Sequence, residues 1–221
     1  MTNKTFSNCI VLLGGSFDPV HNGHVALARH FCLRFHTRNL HIIPAGNSWQ
    51  KPPFHATATE RVEMLRLAFA SNDMSVFIDR REIKRPGETY SIDTVKEIRQ
   101  ETGPDTPILF IIGSDQLIQL NTWKEWKSLF NYVHICAAAR PGFSLEENPL
   151  HHEVEQEFIS RLAIPEKIEI TPFGLTYLAN DLAINVSSSQ TRTALTDDEI
   201  ARILLPEKVL AYIQEQRLYG I

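Results

Sequence analysis

Five short strand-like segments, two of them continuous apolar runs, constrain this chain more than anything else in it. They are residues 10–13 (IVLL), 40–44 (LHIIP), 75–79 (SVFID), 108–112 (ILFII) and 132–138 (YVHICAA). A strand with one wet face alternates polar and apolar residues. A run without alternation reads as a strand covered on both sides, as in parallel sheets. Helix-patterned segments lie between these runs. Residues 23–35 read as one. Thr57 and Glu60 have capping-box spacing ahead of Val62, Leu65, Ala68 and Phe69 on one face. Ser91 reads as the cap of a helix carrying Ile92, Val95 and Ile98, and Thr122 as the start of another with Trp123, Trp126 and Phe130. Strands alternating with helices imply right-handed crossovers and a doubly wound parallel sheet, hence an α/β fold.

The spans 45–56 and 80–90 read as polar connections, 140–165 as an acidic, irregular surface insertion, and 166–186 as holding one or two more strands. Ser187 opens a further helix, and Pro206 introduces another with Val209, Leu210 and Ile213. With 221 residues, 43% hydrophobic and 22% charged, the expectation is one domain over 1–221 with a small helical part from about 187 onward.

The formal charge is -4, so no global cationic field invites nucleic acid. An anionic ligand must be held by local features. Cys9, Cys32 and Cys136 form no CxxC pair, which argues against a disulfide framework and for buried thiols. The apolar run near the N-terminus is too short for a signal peptide, and no stretch approaches a membrane span. The cytoplasm is the expected compartment.

The first strand runs into Gly14-Gly15-Ser16-Phe17-Asp18-Pro19-Val20-His21-Asn22-Gly23-His24. In open α/β sheets, ligands sit beyond the carboxyl ends of strands, where helix N-termini present free N–H groups. Gly14 and Gly15 let the backbone approach a phosphate, and Gly23 lets the first helical turn sit near it. His21 and His24, three apart at a helix start, lie on one side and can address the same anion. Taken alone, the pair could also be metal ligands or solvated helix-start residues, although no Cys or third His is at hand for zinc. The segment is neither a Walker A loop nor GxGxxG. Near the C-terminus, Ser187-Ser188-Ser189-Gln190-Thr191-Arg192 follows an apolar run. It reads either as an anion site with a guanidinium one turn in, or as an ordinary cap with a surface Arg.

HNGH preceded by GGSFDP resembles the HxGH signature of the nucleotidylyltransferase superfamily, and VSSSQTR its second signature, ISSTxIR. The resemblance implies a Rossmann-like fold in which Gly14, Gly15, Ser16, Phe17, His21 and His24 form an ATP site. His24 would stabilise charge developing on the α-phosphate. Ser188, Ser189 and Arg192 would hold the β- and γ-phosphates. His21, His24 and Arg192 are thus the catalytic candidates.

Further segments resemble the bacterial nicotinate-nucleotide adenylyltransferases. TYSIDT is similar to their SYTxxT, IIGSDQL to IIGxDxL, NTWKEW to the segment around a stacking Trp, and AARPG to an RPG turn that places Arg140. The resemblance implies that Gly113 and Asp115 border the ATP site. It also implies that Tyr90, Ser91 and Trp123 meet the nicotinate, whose carboxylate would face backbone N–H groups. Trp126 reads equally well as core. Many family members carry PPHK or PPHR after the second strand, whereas here the loop is WQKPPFH, with Lys51 or His55 offered toward the phosphates.

The implied reaction is direct in-line transfer of an adenylyl group from ATP to nicotinate mononucleotide, with pyrophosphate leaving. No covalent intermediate and no protein general base is needed. Mg2+ would be carried mainly by phosphate oxygens and water, with Asp18 and Asp115 as the candidates to touch it through water. Open alternatives are another acceptor, such as nicotinamide mononucleotide or phosphopantetheine, and a non-catalytic nucleotide-binding regulator on the same fold.

Overall fold

The computed structural model describes residues 6–48, 53–70, 73–139, 150–182 and 188–221. Its strands are β1 (Ile10–Gly15), β2 (Asn39–Pro44), β3 (Asn47–Ser48), β4 (Ser75–Ile78), β5 (Glu88–Thr89), β6 (Ile108–Gly113), β7 (His134–Ala138) and β8 (Thr176–Ala179). Its helices are α1 (Asn22–Arg34), α2 (Ala58–Phe69), α3 (Arg81–Lys84), α4 (Ser91–Thr102), α5 (Ser114–Ile118), α6 (His152–Ser160), α7 (Pro165–Ile168), α8 (Ser188–Ala194), α9 (Asp198–Leu204) and α10 (Glu207–Glu215).

Six strands form one sheet in the order β4-β2-β1-β6-β7-β8, with every pairing parallel. From β1 the chain winds outward to β2 and β4, then returns to lay β6 on the other side of β1. The winding direction therefore reverses between β1 and β6, the place where open α/β sheets leave a crevice at their carboxyl ends.

Both faces of the central strands β1, β6 and β7 are covered, which explains their apolar runs, whereas the edge strand β4 leaves Phe77 54% exposed. Val11 and Leu13 of β1, Leu109 and Ile111 of β6 and Cys136 of β7 point into one core with α1, α2 and α10. Leu12, Phe110, Ile112, Ile135 and Ala137 point into the other, against α4, the 3-10 segment Trp126–Asn131 and α6. The alternation lies in which core each residue enters, not in polarity. Cys9, Cys32 and Cys136 are buried and unpaired, as expected.

Several elements differ from the sequence reading. The cap of α4 is Tyr90, with Ser91 already inside the helix. No helix starts at Thr122. It closes a 3-10 turn, Leu120–Thr122, and a second turn, Trp126–Asn131, follows after Trp123. The span 140–165 includes α6, which buries Val154 and Phe158 four residues apart. The connections at 45–56 and 80–90 pair with each other through β3 and β5. In the span 166–186 the described strand is β8.

Candidate active site

A cavity of about 600 Å³ opens along the carboxyl edge of the sheet. Strand ends form its floor: Gly14 and Gly15 of β1, Ile43 of β2, Ile112 and Gly113 of β6 and Ala138 of β7. Of the candidate residues, it brings together Gly14, Gly15, Ser16, Phe17, His21, His24, Tyr90, Ser91, Gly113, Asp115, Trp123, Ser188, Ser189 and Arg192. Lys51 and Arg140 lie outside the described residues.

His21 and His24 stand where α1 begins. His21 is its cap, in extended backbone conformation, and only 4% exposed. The two imidazoles stack at 3.7 Å between centroids. The His21 backbone N–H donates to His24 Nδ1 at 3.3 Å. An accepting Nδ1 leaves the neutral ring's proton on Nε2, so His24 is set as a donor through that atom. Phe17 meets the His24 ring edge-on at 4.9 Å. Phe17 is fully buried and holds a left-handed backbone, with φ 50°. Its ring lies over Gly15, where a Cβ would come within 3.0 Å of it. Gly15 thus admits the chain's own aromatic ring as well as any ligand.

The loop that carries these residues is held by its backbone oxygens. Arg61 of α2 is 2% exposed and donates to the carbonyls of Ser16 and Ala45, both at 2.8 Å. Arg192 Nη1 donates to the Asp18 carbonyl at 2.6 Å, and Ser188 Oγ to the Pro19 carbonyl at 3.1 Å. Arg192 Nη2 reaches Ser189 Oγ at 3.4 Å. Arg192 and Ser188 thus line the cavity and also grip the loop opposite.

Asp18 is buried and its carboxylate is fully engaged. Oδ1 accepts from the Ala56 N–H at 3.0 Å and the Tyr219 hydroxyl at 2.9 Å, and Oδ2 from the His55 N–H at 2.8 Å. Burial alone would raise its pKa. The donors of His55, Ala56 and Tyr219 outweigh that and hold it below the usual carboxylate range. Asp18 is therefore an internal brace, and its expected water-mediated contact with Mg2+ is not what this carboxylate is arranged for.

On the other face of the sheet, Trp123 is half-buried, with its ring 6.0 Å from that of Phe110. Trp126, three residues on, packs into the core against Phe130. Lys124 places its ammonium 4.3 Å over the Tyr90 ring and 3.9 Å from Asp93. Lys124 and Arg192 are the two Lys or Arg side chains among the described residues lining the cavity, one toward each face of the sheet. Glu82 lies beneath this end. Its Oε1 accepts from Thr94 Oγ1 at 2.7 Å, and its carboxyl also takes the Gly46 N–H. Burial pushes its pKa up, against these hydrogen bonds and the nearby Arg85.

The sequence reading missed Arg61, Glu82, Thr94, Lys124 and Tyr219. Arg61 carried one faint signal, a cation directly after a capping box on the edge of an apolar stripe. Tyr219 carried none. Among the described residues, no cluster of three or more His, Cys, Asp or Glu could hold a metal ion.

The cytidylyltransferase-like family model matches residues 12–194. A protein of Herminiimonas arsenicoxydans named "Probable nicotinate-nucleotide adenylyltransferase" is 50% identical over 98% of this chain and 99% of its own length. The chain belongs to the nicotinate-nucleotide adenylyltransferase family. An Escherichia coli relative of the same name (strain E24377A) is 36% identical over 94% of this chain and 97% of its own. Among solved structures, Plasmodium falciparum nicotinic acid mononucleotide adenylyltransferase complexed with NaAD superposes with a TM-score of 0.72. It covers 96% of this chain and 97% of its own at 18% identity. The same Plasmodium falciparum enzyme complexed with APC gives 0.70 at 19% identity. These structural likenesses establish the shared Rossmann-like nucleotidyltransferase fold.

Proposed function

We propose that this protein transfers the adenylyl group of ATP to nicotinate mononucleotide, forming nicotinate adenine dinucleotide and pyrophosphate in NAD biosynthesis. One observation carries the reading: a single cavity joins a His24 donor and Arg192 on one face of the sheet to Trp123, Tyr90 and Lys124 on the other. ATP occupies the first part. Gly14 to Phe17, Gly113 and Asp115 border it, and His21, His24, Ser188, Ser189 and Arg192 address its phosphates. The pyridine ring occupies the second part, flat against Trp123.

The chemistry follows from the acceptor. Its 5′-phosphate has a second pKa near 6, so it is an anion at neutral pH and needs no base. One of its oxygens bonds to the α-phosphorus. The bond from that phosphorus to the bridging oxygen breaks, and the electron pair leaves with pyrophosphate. This chain supplies orientation and charge stabilisation: His24 Nε2 donates where negative charge builds, and the Arg192 fork follows the leaving group. Of the three carboxylates lining the cavity among the described residues, Asp18 and Glu82 are engaged in internal hydrogen bonds. Asp115 borders the ATP side of the cavity and would meet Mg2+ through water, and the ion, held by phosphate oxygens, would neutralise the triphosphate.

Selectivity for an acid over an amide has a physical source in this arrangement. A ring stack treats the two alike. A carboxylate would gain from backbone N–H groups where α4 begins, around Tyr90 and Ser91, and from the Lys124 charge, whereas an amide presents its own NH₂ to donors; the Trp123 N–H is already given to the Leu120 carbonyl at 3.0 Å. Lys51 and Arg140, which lie outside the described residues, are further acceptor contacts proposed on the sequence resemblance alone. No helix among the described residues is long and apolar enough to cross a membrane, and we assign the reaction to the cytoplasm.

The deciding experiment measures pyrophosphate release from ATP and Mg2+ with nicotinate mononucleotide, nicotinamide mononucleotide or phosphopantetheine. The expected result is turnover with the nicotinate acceptor at least about tenfold above the amide in kcat/KM, or ~1.4 kcal/mol, and none with phosphopantetheine. Equal kcat/KM for acid and amide would overturn the acceptor assignment.

A further inference from the structure

The segment at Arg217–Tyr219 is held in an unusual shape. Arg217 and Tyr219 both adopt left-handed backbone, with φ 53° and 60°. Residues other than glycine persist there only when their surroundings over-determine them. What this shape achieves is specific: it delivers the Tyr219 hydroxyl to Asp18 Oδ1, 201 positions earlier in the chain, at 2.9 Å.

Asp18 is where several elements meet. Its carboxylate gathers donors from the 53–57 loop and from Tyr219, while its carbonyl takes Arg192 of α8. The residue before it, Phe17, is itself left-handed and packs its ring on His24. Moving the Asp18 carboxylate therefore moves two groups assigned to ATP: His24 through Phe17, and Arg192 through the carbonyl. We propose that Tyr219 is a positioning residue for adenylyl transfer, fixing the Phe17–Pro19 corner through Asp18 and so setting His24 and Arg192. This inference rests on the adenylyl-transfer reading above.

The protonation states suit the role. Asp18 stays ionised. Burial, the Asp18 charge and the shared hydrogen bond all push the Tyr219 phenol well above its ordinary value, so the proton remains on Tyr219. The contact is a neutral hydroxyl donating to a carboxylate, a stronger and more directional bond than one between neutral groups. Phenylalanine would keep the ring and lose only this bond. Asp18 would retain its backbone donors, so the fold is expected to survive.

The test compares the full-length wild type with Tyr219→Phe. The expected result is a melting temperature within a few degrees of wild type, kcat lowered about tenfold and acceptor KM changed less than twofold. A merely structural contact would lower the melting temperature and leave kcat per folded molecule unchanged, and that result overturns the proposal. Action through Asp18 is checked by a double-mutant cycle. In an Asp18→Asn background, Tyr219→Phe should change kcat less than twofold, and a full tenfold effect there would show that Tyr219 acts by another route.

If Asp18→Asn does not fold, hydrogen exchange at the Ser16–Asp18 amides replaces the cycle. At least tenfold faster exchange in Tyr219→Phe supports the clasp, and unchanged exchange overturns it. A wild type that releases no pyrophosphate with any acceptor would remove the adenylyl-transfer reading instead. The clasp is then judged on Mg·ATP affinity by calorimetry, expected to fall at least threefold in Tyr219→Phe, and equal affinity overturns it.

Discussion

At the scale of single residues, His24 is the side chain on which the proposed chemistry leans most. The bond from the His21 N–H fixes its tautomer, Phe17 fixes its tilt, and the stacked His21 ring fixes its depth. Removing one preorganised donor of this kind costs about 10²–10³ in rate. His24→Ala is therefore expected to lose kcat by that factor while its circular dichroism and melting curve stay close to wild type. A folded His24→Ala enzyme with near-normal turnover would remove His24 from the mechanism. The sequence displayed this residue plainly, because HxGH is contiguous. It could not display the residues that aim it. Arg61 holds the Ser16 carbonyl across 45 positions and Tyr219 holds Asp18 across 201, and contacts that distant leave no local pattern to read.

At the scale of elements, what was legible depended on whether local chemistry or tertiary packing decided the outcome. The Thr57–Glu60 capping box forms as read: Glu60 N–H donates to Thr57 Oγ1 at 3.3 Å and Thr57 N–H to Glu60 Oε2 at 2.7 Å. The central strands β1, β6 and β7 were legible because burial on both faces leaves an apolar run. The Trp123 region was misread as a helix because its apolar spacing suits α and 3-10 turns alike, and packing of Trp126 and Leu129 chose the latter. In α6, Val154 and Phe158 at i, i+4 were a usable signal masked by the acidic residues around them. One junction between elements gives a sharp expectation. Gly46 lies where the chain leaves β2 and passes α3, and a Cβ there would sit 2.0 Å from the Glu82 backbone carbonyl. Backbone on both sides cannot yield as a flexible side chain can. Gly46→Ala should cost about 1–3 kcal/mol, as overpacking does. It should also push α3 outward, so acceptor KM rises while ATP KM holds. Denaturant unfolding with both KM values checks this, and an unaltered midpoint would show that the passage is looser than the geometry implies.

For the whole molecule, acid sensitivity has an identifiable origin in His134 of β7. This ring is fully buried, its Nδ1 accepts from the Leu175 N–H at 3.1 Å, and its Nε2 therefore donates to the Thr171 carbonyl at 2.7 Å. A second ring proton would face the Leu175 N–H. Burial, with the nearby Arg99 charge, outweighs the Thr171 bond and pushes the pKa down to about 4. The unfolded chain takes up that proton near pH 6.5, so between these values the unfolded state binds more protons. Stability is then full above about pH 6.5 and declines as the pH falls toward 4, by about 3 kcal/mol at most. For a chain of this size that is a fall of roughly 6–12 °C in Tm. Melting curves from pH 7.5 to 4.5 should show it in wild type and show a flatter dependence in His134→Gln, whereas identical slopes would place the sensitivity elsewhere.

The division of labour across the sheet reaches further than one reaction. The groups proposed to handle the triphosphate hang on one face, with α1 and α8, and those proposed to receive the ring hang on the other, with α4 and the Trp123 turn. They meet only at the strand ends. Inheritance can act on the two separately: a lineage can exchange one acceptor for another by rewriting a single face, and pass down the ATP-handling half with its chemistry intact.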